Sequence, residues 1–447
     1  MLVLLTHANH FYDDRKQVRK AQPYPPLQTL IAAAHLRENG VDVALFDATF
    51  NRDFEAALDQ FKPDLMAVCE DNFTFLTKMC LMQNRRLAME MSEACKQRQI
   101  SCVVNSSDST DHPREYLAAG FERVIVGELE ATLLDMCRQW PRPVAGSVGE
   151  AGREPRREPI RDLDSLPLPA WDLVDMSVYR DLWTAEHGYF SLNLVTSRGC
   201  PYRCNWCAKP LYGDSYRHYS PRRAASELRS VKQLFQPDVV WFSDDIFALS
   251  GKWAREFAAC VEQADARTPF RVQSRCDLMT RDTVAALRES GCAEVWMGVE
   301  SGSQRVLDAM DKGIRVEHVY AARENLRRHG IRACYFLQLG YLGEEWEDIE
   351  ATIRLVRETR PDDIGVSVSY PLPNTRFYQI VQTQLGGKTN WSDSADLEMM
   401  FRGAFPSAFY RAVADALHIE VRGDTGAVAG SLSEAWDRVE HLRCVYC

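Results

Sequence analysis

Hydrophobic positions divide the chain into two stretches of alternating strands and helices. Over residues 1–145, Leu2–Leu5, Val41–Phe46, Asp64–Cys69, Ser101–Asn105 and Arg123–Val126 read as short buried strands ended by polar residues. Leu27, Leu30, Ile31 and Ala34 fall at i, i+3, i+4 and i+7, so they share one helix face; Tyr24-Pro25-Pro26 opens that helix and Gly40 ends it. Strands alternating with helices predict a parallel sheet covered on both faces, with ligands beyond the carboxyl ends of its strands. Glu70-Asp71-Asn72, Ser106-Ser107-Asp108 and Gly127-Glu128 stand at those ends. A second run, over residues 191–375, offers six strands: Leu192–Thr196, Val239–Phe242, Phe270–Ser274, Glu294–Val299, Cys334–Leu339 and Ile364–Ser369. Helical stripes separate them, among them Ala225, Leu228, Val231, Leu234 and Phe235 in Arg222–Phe235, and Val306, Leu307 and Met310 in Ser303–Lys312, which Gly313 stops.

Two further stretches complete the division. Residues 146–190 read as a connector: Gly149–Arg161 is charged, holds Gly and Pro and lacks apolar periodicity, and Leu163–Trp171 is extended. Residues 376–447 are mostly helical in pattern, with Trp391, Phe401, Phe405, Phe409 and Tyr410 as packing residues. The expected class is therefore α/β: an N-terminal Rossmann-like domain at 1–145, a linker at 146–190, a second α/β core at 191–375 and a helical region at 376–447.

Composition narrows the function classes. The 447 residues leave room for two or three domains. A hydrophobic share of 46% and a charged share of 26% are ordinary for a soluble protein. The net charge of −10 argues against nucleic acid as the partner and suits a neutral or cationic small substrate. Fourteen cysteines without a secretory leader fit a reducing, cytoplasmic setting. Met1–Leu5 reads as a strand rather than a signal peptide, and no run of 18 apolar residues offers to span a membrane.

The chemistry concentrates in residues 196–219, where Cys200, Cys204 and Cys207 stand in a C-x3-C-x2-C pattern. Three thiolates are one too few to close a tetrahedral zinc site or to saturate a four-iron cluster. A [4Fe–4S] cluster held this way keeps one iron open. A zinc loop with its fourth ligand elsewhere, or three reduced structural cysteines, are the plainer alternatives. Cys444 and Cys447 form a second, terminal pair, read as two thiols without a metal role.

This stretch resembles the signature of the radical S-adenosylmethionine (SAM) enzymes, with Trp206 as the aromatic before the last cysteine. Four later segments resemble elements of that family in order: Phe242-Ser243-Asp244-Asp245, Gly298–Ser303, Leu339–Glu344 and Tyr370–Thr375. The resemblance implies a partial (β/α)6 barrel, a [4Fe–4S] cluster on Cys200, Cys204 and Cys207, and SAM bound at the open iron and cleaved to a 5′-deoxyadenosyl radical. An electron donor is then required. Ser243 and Asp244 are expected to receive the SAM amino group, and Glu300 the ribose hydroxyls. Trp206, Gln273 and Gln338 are expected to line the cofactor. Arg275 is a candidate for the SAM carboxylate, with a surface ion pair as its other reading. Glu128, Asp245 and His218 are the candidate catalytic residues; packing around the cluster is the plainer role of His218, and His7 and His10 read as polar loop residues.

Residues 1–145 resemble the cobalamin-binding domain that precedes many radical SAM cores, through Pro25-Pro26-Leu27, the Gly40 turn and Gly127-Glu128-Leu129-Glu130. The Asp-x-His-x-x-Gly motif for a lower cobalt ligand is absent, so cobalamin and an empty scaffold both remain open. The Glu70–Cys80 run, the chain length and the missing motif are also similar to radical SAM diol dehydratases of aminoglycoside biosynthesis. That likeness implies dehydration of a cationic, paromamine-type aminoglycoside in antibiotic biosynthesis, a partner reductase, and contacts from Glu70, Asp71, Asp108 and Glu128. Cobalamin-dependent C-methylation and a non-catalytic cluster-bearing sensor are the alternatives.

Overall fold

A computed structural model gives the structure of the protein and describes residues 1–70, 82–209, 211–385, 397–423 and 431–446. Asp71, Asn72, the rest of the run to Cys80, Trp391 and Cys447 lie outside the described residues. The described residues form two compact units, one from 1–201 and 209–245, the other from 202–208 and 246–446. The division falls inside the stretch expected as the second α/β core.

In the first unit, β1 (Leu2–Thr6), β2 (Asp42–Phe46), β3 (Leu65–Cys69), β4 (Ser101–Asn105) and β5 (Arg123–Ile125) are parallel in the order β2-β1-β3-β4-β5. The order reverses between β1 and β3, which makes that crevice the switch point of the sheet. Period-two alternation divides the apolar residues between the faces. Val3, Leu5, Leu65, Ala67 and Val103 join one core with Ala32, Ala33 and Leu36 of α1 (Leu27–Glu38) and Leu133 and Met136 of α4 (Leu129–Gln139). Leu4, Met66, Val68 and Val104 join the other with Phe54 and Leu58 of α2 (Phe54–Phe61) and Leu87 and Met91 of α3 (Met82–Gln97). Gly40 ends α1 as expected: it takes φ +78°, and its N–H and that of Val41 reach back to Arg37 and Leu36 carbonyls.

Residues 146–190 carry more order than a connector. β6 (Ser147–Gly149) and β7 (Gly152–Arg153) extend the sheet antiparallel beyond β5. Strands of two or three residues are too short to leave an alternation in the sequence. Asp175 caps α5 (Met176–His187), and Trp183 is buried with its indole N–H donating to the Pro23 carbonyl at 2.7 Å. The same unit holds the parallel pair β8 (Ser191–Leu194) and β11 (Val239–Phe242), the short β9 (Ser197–Arg198) and β10 (Arg217–His218), and α6 (Pro221–Phe235). Ala225, Leu228 and Val231 of α6 are buried as the stripe predicts, but Leu234, in its last turn, is 61% exposed.

In the second unit, β12 (Phe270–Ser274), β13 (Cys292–Glu300), β14 (Arg332–Leu339) and β15 (Asp363–Val368) pair in parallel, each with the next in chain order. Helices α7 (Gly251–Gln263), α8 (Arg281–Ser290), α9 (Gln304–Ala309), α10 (Val316–Arg328) and α11 (Trp346–Thr359) alternate with them along the chain. The predicted 303–312 helix stops at Ala309, because Asp311 and Gly313 turn to positive φ. α12 (Ser407–Arg422) and α13 (Leu432–Tyr446) follow, with Phe401, Phe405, Phe409 and Tyr410 buried and Phe405 stacked on Phe409 at 4.1 Å. Among the described residues no helix is long and apolar enough to cross a membrane.

The ring of Phe257 lies fully buried against Phe247, Trp253 and Phe270. Phe257→Ala is expected to cost about 3–5 kcal/mol through transfer and cavity terms; urea denaturation followed by tryptophan fluorescence measures it.

Candidate functional site

The cysteine stretch is fixed by polar anchors within each unit. In the first, β9 and β10 pair antiparallel, Ser197 opposite His218 and Arg198 opposite Arg217, which closes the two ends of the 199–216 loop. Gly199 sits at φ +79°, and a Cβ there would fall 2.2 Å from the Ser215 carbonyl oxygen. Only glycine permits that approach. Lys209 donates to the Cys200 carbonyl at 2.8 Å and pairs with Asp214 at 2.8 Å.

Three buried acids hold this stem. Asp244 accepts from the Thr196 backbone N–H at 3.0 Å, the Thr196 hydroxyl at 3.0 Å and the Ser197 hydroxyl. Burial pushes its carboxyl up to about 7, against the hydrogen bonds from Ser197 and Thr196. Glu130 accepts from both terminal nitrogens of Arg198 at 2.5 and 3.2 Å, and each side chain is only 1% exposed. Burial works against the Glu130 charge, yet Arg198 outweighs it and holds the carboxyl below its usual range. Glu128 binds Arg217, accepts from the Ile160 N–H at 2.7 Å and lies 3.7 Å from Arg198.

These contacts alter several expectations. Glu128, expected as a catalytic residue, is engaged with Arg217 and the Ile160 N–H. Asp244 turns to residues 196–197 rather than outward, whereas Asp245 beside it is exposed and Ser243 is buried, its N–H donating to the Leu194 carbonyl. His218 is exposed, with Nδ1 2.8 Å from the Tyr219 carbonyl and its ring beside Tyr216. The acids expected to meet a polycation are occupied as well: Arg85 forks onto Asp108 at 2.6 Å, and Asn84 donates to Glu70 at 3.0 Å. His7 and His10 are tied to Asp47 and to the Ala48 carbonyl.

In the second unit, Cys204 and Cys207 flank a turn in which the Cys207 N–H donates to the Cys204 carbonyl. Asn205 pins it. Its amide donates to the Ala309 carbonyl at 2.7 Å and to Asp311 at 3.0 Å, its side-chain oxygen accepts from the Tyr341 hydroxyl at 2.9 Å, and its backbone bonds Met310 and Phe377. Trp206 lies under Lys312, whose ammonium is 5.9 Å from the ring centre and donates to Glu300 at 2.6 Å. Burial opposes the Lys312 charge, but Glu300 and then Cys204 raise its pKa above the ordinary value. Arg275 stacks 3.6 Å from the Tyr202 ring centre, donates to the Lys312 carbonyl and pairs with Asp277. It is therefore no surface pair, and it too interacts favourably with Cys204.

Glu300 holds φ +62°, a strained conformation for a non-glycine residue. A Cβ at Gly298 would meet Lys312 Nζ at 2.6 Å and Glu300 Oε1 at 2.7 Å. Gln273 is half-buried. Among the described residues the buried Trp206 indole N–H and Gln338 Oε1 find no hydrogen-bond partner. A polar ligand would satisfy both. Lys312 and Asn205 were not singled out by the sequence; the Met-Asp-Lys-Gly run after the Gly298–Ser303 segment was the available signal.

Cys200, Cys204 and Cys207 form no disulfide and are of intermediate exposure. Among the described residues no three His, Cys, Asp or Glu side chains gather tightly enough for a single metal ion. With Lys312 and Arg275 beside Cys204, the surroundings of that sulfur suit an anionic group such as an iron–sulfur cluster.

Two substitutions probe these anchors. Gly199→Ala is expected to disrupt the loop without unfolding the sheet, read as lost amide-exchange protection confined to residues 196–219. Asp244 carries a folded pKa of about 7 against an ordinary 3.8. The stability this contributes is fully present below the lower value and is lost as pH rises through the upper one. Asp244→Asn is therefore expected to flatten the fall of the urea midpoint across that window; an unchanged pH profile counts against the assignment.

Comparison with known proteins agrees with this geometry. Residues 194–356 match the Radical SAM superfamily. An uncharacterised methyltransferase of Pyrococcus horikoshii is 26% identical over 371 residues, covering 79% of this chain and 78% of that one. The structure of the radical S-adenosylmethionine methyltransferase TsrM from Kitasatospora setae, with cobalamin and a [4Fe–4S] cluster bound, aligns with TM-score 0.71 at 18% identity over 87% of this chain and 79% of that one. The cobalamin-dependent S-adenosylmethionine radical enzyme OxsB, with aqua-cobalamin and S-adenosylmethionine bound, aligns with TM-score 0.74 at 16% identity over 100% of this chain and 71% of that one. The fold is thus the expected α/β arrangement of those proteins, while none of these relatives supports the preference for diol dehydration. The chain carries a radical SAM domain, and with it the [4Fe–4S] and S-adenosylmethionine chemistry that such a domain implies.

Proposed function

We propose that the protein is a cobalamin-dependent radical SAM methyltransferase acting on a small molecule. The observation that carries this reading is the combination of the anchored three-cysteine loop with a preceding β2-β1-β3-β4-β5 sheet, a pairing matched by relatives described as methyltransferases. Cys200, Cys204 and Cys207 hold the cluster. Lys312 and Arg275 offer cations suited to the SAM carboxylate, and Glu300 and the Gln338 oxygen offer acceptors. Asp245, rather than its buried neighbour, is the carboxylate proposed for the amino group. Bound together, these groups supply one-electron cleavage of SAM and methyl transfer; the electron comes from an external donor.

For cobalamin, the first unit offers Ala8, Glu70, Asn84, Ser106 and Tyr116 around a narrow crevice beside the carboxyl ends of its strands. Small and polar residues at strand ends suit a group approaching from outside the sheet. His7 and His10 are engaged elsewhere, which accords with the missing histidine motif, so cobalamin is proposed to bind without either as a cobalt ligand. Dehydration of an aminoglycoside finds no comparable support among the relatives, of which those of Pyrococcus horikoshii and Kitasatospora setae are described as methyltransferases.

The test is anaerobic reconstitution with iron, sulfide and cobalamin, then incubation with SAM, dithionite and candidate small-molecule substrates, aminoglycosides among them. Formation of S-adenosylhomocysteine with methylation of the reduced cobalamin is expected, and replacing any of the three cysteines by alanine is expected to remove iron–sulfur absorbance and SAM cleavage. Deoxyadenosine without S-adenosylhomocysteine, and a product lighter by one water, would overturn the reading.

A further inference from the structure

We propose that Glu130, through Arg198, is a positioning residue for the cluster loop. This rests on the reading of Cys200 as a cluster ligand. Arg198 lies two residues before Cys200 and is held on several sides. Both its terminal nitrogens bind Glu130, Glu128 lies 3.7 Å away, and the Tyr212 ring lies 5.4 Å from the guanidinium. Tyr212 in turn donates to Gln28 at 3.1 Å, in the first turn of α1. Glu130 stands in the first turn of α4, just past β5. Gly199 cannot relax between them, because it packs against the Ser215, Gly213 and Tyr212 carbonyls. The approach to Cys200 is therefore registered to the rigid end of the N-terminal sheet.

Stability alone does not account for the pair. Two ions with side chains 1% exposed carry a desolvation cost that apolar residues of similar volume avoid. What a paired fork supplies beyond packing is direction: a guanidinium bound in bidentate fashion has one orientation, and the backbone that carries it follows. The acids after β5, which look like a ligand-facing rim in the sequence, serve as a jig for the cysteine loop.

The test uses the full chain. In E130L/R198M both charges are removed together, so no unpaired ion remains in the interior. The urea midpoint is expected to stay near wild type. Two measurements follow the loop instead. In metal-free protein, iodoacetamide labelling of Cys200 is compared with that of the exposed Cys444 by peptide mass. After reconstitution, the EPR spectrum of the reduced cluster and its loss to a chelator are recorded. Labelling and chelation are each expected to quicken about tenfold, with an altered EPR line shape, as for lost outer-sphere support of metal ligands. E130Q, which keeps shape but not charge, is expected to fall between wild type and the double variant, and it carries the comparison if the double variant does not fold. A folded variant with wild-type labelling, spectrum and chelation overturns the proposal while leaving the cluster reading intact. A wild-type chain that binds no cluster overturns both.

Discussion

A loop carrying three reduced thiols has no core of its own, so buried polar bonds must set its shape. In the first unit that constraint is Asp244 on residues 196–197, Glu130 on Arg198 and Glu128 on Arg217, with Gly199 pressed against the Ser215 carbonyl. In the second it is Asn205, which bonds Ala309, Asp311 and Tyr341 through one amide. Each such bond is worth only about 1 kcal/mol net. Its removal costs more, because the partner is left buried and unsatisfied. Within each unit the segment that carries its cysteines is therefore held in one arrangement rather than a family of them.

How far this was legible follows from where each signal lies. Ser101–Asn105, Val239–Phe242 and Phe270–Ser274 match their predicted strands residue for residue, since a short apolar run ended by polar residues is a local feature. The cysteine spacing is local too. Glu130 and Arg198 are 68 residues apart and meet only on folding, so each was noticed for its own segment and neither as the partner of the other. Glu300 was singled out for its motif, but its partner Lys312 was read as the end of a helix. The helix at Met176–His187 had its signals on the page, with Asp175 before it, Gly188 after it, and Met176, Tyr179 and Trp183 on one face. The surrounding linker-like composition masked them. Leu234 shows the converse: a stripe position at a helix end outlasts the surface it would pack against.

Whole-chain charge is a blunt guide for a related reason. A net charge of −10 counts every acid equally. The acids at the strand ends that suggested a cationic substrate are the ones folding spends on internal partners, Asp108 on Arg85 and Glu128 on Arg217. A carboxylate held by a guanidinium fork presents little field to a ligand. Substrate charge has to be inferred from the groups that line the site rather than from the whole-chain balance.

The same reasoning assigns Lys312 a share of the chemistry that its sequence context conceals. Glu300, held in a left-handed conformation, and Cys204 both act on its buried ammonium, and both favour its charge. Without Lys312, the buried Glu300 carboxylate would have Arg275 as the nearby cation, already committed to Asp277. On the proposed reading an anionic cluster would add negative charge there. Lys312 is the counter-charge that lets the carboxylate sit beside the Cys204 sulfur in one low-dielectric neighbourhood, and the strain at Glu300 is tolerable because the ion pair holds it there.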